Sequence, residues 1–145
     1  MRENTKESEE NLQKLYLEFQ MLEQQIKQLE KQSSTLKNHL LELVSTSQSL
    51  EEIKKIGEKA EILVPISTGI YAKAELKDKN RFIVNVGANI AVAKDLESTK
   101  SVIAGQIKEI TEVHENVAKE LQMHLEKAAS MEEEINKIAS ELQAQ

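Results

Sequence analysis

From Leu12 onward the apolar residues fall at Leu12, Leu15, Phe19, Leu22, Ile26, Leu29, Leu36, Leu40, Leu43 and Leu50, in alternating steps of three and four, with Ser33 and Ser47 in the gaps. A 3.5-residue repeat keeps one narrow seam facing a partner helix as the two supercoil. No proline interrupts this run and the first glycine is Gly57, so the pattern predicts a helix over 5–56 that stops at that glycine. A second seam reads Leu96, Lys100, Ile103, Ile107, Ile110, His114, Val117, Leu121, His124, Ala128, Met131, Ile135, Ile138 and Leu142. It predicts a helix over 95–143, with Asp95 as a cap or first-turn anion at the positive helix end. Gly105 interrupts it as a soft spot or a close packing contact. His114 and His124 sit in the seam as polar residues that set its register.

Between the helices, at 61–93, the period changes to two. Ile62, Val64 and Ile66 alternate with Glu61, Leu63 and Pro65; Ile70, Ala72, Ala74 and Leu76 alternate with Tyr71, Lys73, Glu75 and Lys77. Phe82, Val84 and Val86 alternate with Arg81, Ile83 and Asn85, and Ile90 and Val92 follow. Turns are expected at Ser67-Thr68-Gly69, Asp78-Lys79-Asn80 and Gly87-Ala88-Asn89. Four short strands arranged as two hairpins result.

Two seams of matched length joined by so short a hub fold back economically as an antiparallel coiled coil, with paired residue numbers summing to roughly 150 to 157. A parallel homodimer of each helix would instead splay the hub strands. Isolated hairpins are marginal in water and exposed edges invite pairing. The hub therefore predicts obligate oligomerisation through a β-barrel shared between subunits, carried by Ile62, Val64, Ile66, Ile70, Phe82, Val84, Val86, Ile90 and Val92. The fold expected is mostly α with a small β hub.

Composition agrees: 39% apolar but 3% aromatic, 30% charged, and no Cys or Trp, as long helices are built. Without Cys there are no disulfides or thiolate sites, and no His pair has the spacing of a helical metal site. A net charge of −6 with no basic stripe argues against nucleic acid. Short apolar runs and a charged start argue against a membrane span or signal segment, so a soluble cytoplasmic protein is expected. No phosphate loop or nucleophile turn is present, and neither enzyme activity nor a cofactor or metal is expected.

The stretches LVPISTGIYAKAEL and FIVNVGANIAVAKDLE resemble the alpha-class subunits of prefoldin, through Leu63-Val64-Pro65 with Gly69, and through Val86-Gly87-Ala88 leading to Lys94-Asp95-Leu96. Two hairpins indicate the alpha class, and the acidic, Cys-free chain an archaeal version. Ser67-Thr68-Gly69 stands where the family has a Gly-rich turn. The resemblance implies an ATP-independent holdase in which two alpha subunits join four beta-class subunits in a hexamer. Such a complex holds non-native polypeptides between its coiled-coil tips and hands them to a group II chaperonin.

At the free end the helices fray, so seam residues there can expose apolar surface, and client binding is expected on Leu12, Leu15, Phe19, Met131, Ile135, Ile138 and Leu142. Tyr16, Leu17 and Met21 fall outside the seam and form an exposed apolar cluster. Around them Glu7, Glu9, Glu10, Glu132, Glu133 and Glu134 keep the tips soluble. The seam residues also read as ordinary coil core, and a tethering scaffold without clients is the alternative function.

Overall fold

A computed structural model describes residues 2–57 and 59–144, with the side chains of residues 6–57 and 59–144. Helix α1 runs Arg2–Lys55, strands β1 to β4 run Glu61–Ser67, Ile70–Glu75, Arg81–Asn85 and Ala91–Asp95, and helix α2 runs Leu96–Gln143. The chain divides into two compact units, Met1–Asn38 with Thr111–Gln145, and His39–Ile110.

In the first unit the two helices run antiparallel. Glu18 pairs with Lys127 at 3.1 Å, and fifteen residues further along α1 Ser33 Oγ lies 3.2 Å from His114 Nε2. The numbers of these partners sum to 145 and 147, slightly below the expected range of roughly 150 to 157. Leu22, Ile26 and Met131 form the buried cluster, with Leu15, Phe19, Leu121 and Ala128 packed against it. Every position that the heptad pattern assigns to the seam here is buried or half-buried, and its neighbours are mostly exposed. His124 is half-buried and its Nδ1–H donates to the Glu120 carbonyl at 2.8 Å.

The second unit repeats the antiparallel pairing. Leu43, Leu50 and Leu96 are buried, Glu51 pairs with Lys100, and Lys54 pairs with Glu97 at 3.8 Å. The first helix ends at Lys55, one residue early, with a tight turn from Ile56 N–H to the Ile53 carbonyl. Gly57 is not in the left-handed region; Lys59 is, at φ 59°. At this end Lys79 Nζ donates to the Ile56 carbonyl at 3.3 Å, satisfying one of the carbonyls that a helix end leaves free.

Strands β1 and β2 pair antiparallel with Ile62 opposite Ala74 and Val64 opposite Ala72, and Gly69 takes φ +78° in the turn. The second turn is an Asx turn, Asn80 N–H donating to Asp78 Oδ1 at 2.9 Å. Strands β3 and β4 pair with Phe82 opposite Lys94 and Val84 opposite Val92. Gly87, Ala88 and Asn89 all have positive φ, and Val86 N–H bonds the Ile90 carbonyl across the loop at 3.0 Å. Each hairpin is a separate two-stranded sheet. β4 runs directly into α2 through Asp95, whose Oδ1 accepts the Ser98 N–H at 2.7 Å, the geometry of an N-cap. The backbone carbonyl of Asp95 accepts the hydroxyl of Thr99, the buried polar residue of this first turn.

Candidate functional site

Two surfaces carry unspent apolar area, one in each unit. In the first unit Tyr16, Leu17 and Met21 are 48%, 62% and 59% exposed. Leu17 and Met21 are four residues apart and share a helix face, beside a shallow groove of about 310 Å³ lined by Glu10, Gln13, Lys14 and Leu17. The other residues expected at the tip divide by depth. Leu12, Leu15, Phe19, Ile138 and Leu142 are half-buried, whereas Met131 and Ile135 are the best-buried residues of α2 in this unit. These two stabilise the coil and offer nothing to a ligand while it is closed. The heptad reading alone could not separate the depths, because every seam position looks equivalent in sequence. Exposed apolar residues that the seam reading passed over are Val113, Met123 and Leu125. Their signal was present: each is apolar at a position outside the three-four rhythm.

In the second unit the hairpins leave most of their apolar residues open. Ile62, Phe82 and Val84 are half-buried with Ala72 and Ala74, and Val64 and Val92 are close to half-buried. Ile66, Ile70, Val86 and Ile90 are exposed. The opposite face is more open still, with Leu63, Tyr71 and Ile83, the last 82% exposed. In the alternation these three fall opposite the residues expected to carry assembly. Exposed apolar residues in such number mark a surface that something covers, and among the described residues neither hairpin has a further neighbouring strand to close its edges.

Charges near the helix ends are arranged to hold the second unit together. The Lys100 ammonium donates to Glu51 and, with its own charge, holds that carboxyl below the usual range; the same hydrogen bond raises Lys100. Lys100 occupies a seam position and is half-buried, its stem along the seam and its head at the rim. Asp95 is lowered by the Ser98 backbone N–H that it caps. Among the described residues no cluster of His, Asp or Glu could hold a metal ion, and no helix is long and apolar enough to cross a membrane.

The family model described as Prefoldin subunit matches residues 22–141. The prefoldin subunit alpha of Thermococcus onnurineus is 38% identical over 104 residues, 71% of each chain. That of Pyrococcus horikoshii is 37% identical over 113 residues, 77% of this chain and 74% of the relative. Among solved structures, filamentous PFD from Methanocaldococcus jannaschii aligns at a TM-score of 0.69 and 19% identity, covering 78% of this chain and 93% of that one, and so shares the fold. The helix, hairpin pair and helix found here, the matched family model and the two relatives agree: the chain belongs to the prefoldin family, in its alpha class.

Proposed function

We propose that this chain is the alpha-class component of a nucleotide-independent holdase in the cytoplasm. Its hairpins join a second copy and four beta-class subunits, and its coiled-coil tip holds non-native polypeptide for delivery to a group II chaperonin. The observation that carries the reading is the pair of apolar surfaces, each in a separate unit and each left open by the chain itself. One surface lies on paired hairpins with free edges, as an assembly face requires. The other lies on helix positions with no packing duty, where a promiscuous contact needs adaptable side chains such as Met21.

Purified complex, assembled with its beta-class partner, should suppress aggregation of a denatured test protein without nucleotide. The variant Tyr16→Gln, Leu17→Gln, Met21→Gln should assemble normally and protect less. Equal protection by the variant would remove client binding from this surface. Failure of the wild-type complex to protect at all would favour a tethering scaffold.

A further inference from the structure

Net charge is not spread evenly along this chain. Between His39 and Ile110 ten acidic and ten basic side chains cancel, so the hairpin-bearing unit is neutral. The remaining residues carry fifteen acidic side chains against nine basic, and the whole net charge of −6 belongs to the other unit. Most of the excess lies on α2, where residues 111–145 hold eight acidic side chains and three basic. The most exposed apolar side chains of that unit, Leu17, Met21 and Met123 at 62%, 59% and 67%, therefore stand in a negative field.

Apolar contact alone does not discriminate among unfolded chains, since all of them expose hydrophobic side chains. A field of one sign does discriminate: it raises the local concentration and association rate of oppositely charged partners and repels like-charged ones. We infer that this unit selects non-native segments that combine apolar side chains with net positive charge. The inference rests on the client-holding reading above and names the class of client. Glu132, Glu133 and Glu134 are exposed and form the densest part of the field. Met123 and Leu125, about two to three turns earlier on the same helix, supply exposed apolar contact.

The test uses the complex with its beta-class partner and two disordered, apolar-rich peptides that differ only in carrying Lys or Glu at the same spaced positions. Association is followed by stopped-flow fluorescence. In low salt the Lys peptide should associate roughly tenfold faster than the Glu peptide. In about 0.5 M salt, where screening acts within a few ångström, the ratio should fall to near unity. Replacing the three exposed acids, Glu132→Gln, Glu133→Gln and Glu134→Gln, should shrink the low-salt ratio while leaving capture in high salt unchanged. Equal rates for the two peptides in low salt would overturn the inference. So would a ratio that the triple variant leaves intact, because the selection would then belong to the partner chains. Capture of neither peptide at any salt would instead sink the client-holding reading itself.

Discussion

Two glycines show how differently one residue type is used. At Gly105, inside α2, an added Cβ meets nothing within 4 Å, so the glycine is not there for close packing. Gly105→Ala should stabilise by about 0.5 to 1 kcal/mol by removing backbone freedom from the unfolded chain, read as a higher melting temperature; no change would mean the helix is not continuous there in solution. Gly87 has the same open surroundings but φ +101°, a conformation L side chains rarely adopt. Gly87→Ala should therefore cost about 1 to 2 kcal/mol. Ionisable residues give a second test. Glu51 and Asp95 are lowered, so their contribution is present above the ordinary carboxylate values of 4.5 and 3.8 and is lost as pH falls through the folded values. Lys100 is raised, so its contribution is complete below 10.5 and lost in stronger alkali. Glu51→Gln should flatten the acid limb of a pH-dependent melting series, and an unchanged limb would contradict the pairing.

The helices expose what periodicity can and cannot tell. Met131 and Met123 are the same residue type eight positions apart on α2, one 6% and the other 67% exposed. Met131→Ala should destabilise by about 2 to 5 kcal/mol through lost burial and a residual cavity, and Met123→Ala by less than about 0.5 kcal/mol. That contrast was legible, since only Met131 is in the seam. The extent of each strand was nearly legible too, because alternation and turn residues mark both hairpins. The joint between α1 and the hub was not. Lys79 bonds the Ile56 carbonyl from 23 residues away, and no local pattern announces a side chain that reaches a remote carbonyl. Pairing across the seam was legible as direction but not as contact. Ser33 and His114 meet by hydrogen bond, which heptad counting could not choose among neighbouring layers. A double-mutant cycle of Ser33→Ala and His114→Ala should give a coupling of about 0.5 to 1.5 kcal/mol.

For the molecule as a whole, the proposed function divides labour between a neutral hairpin unit that assembles and an acidic coiled-coil unit that meets clients. The sequence pointed to a shared barrel because two hairpins cannot bury their own faces. It was less informative about which face is left open, since Leu63, Tyr71 and Ile83 sit in the polar phase of the alternation. The central claim is that the hairpins exist to join other subunits, and native mass spectrometry of the chain co-expressed with a beta-class partner tests it directly. The account predicts one dominant species containing two copies of this chain and four of the partner, lost in Ile83→Asp, where a charge would enter a buried interface unpaired. A free monomer beside an unassociated partner, or an Ile83→Asp variant that assembles as well as the wild type, would contradict it.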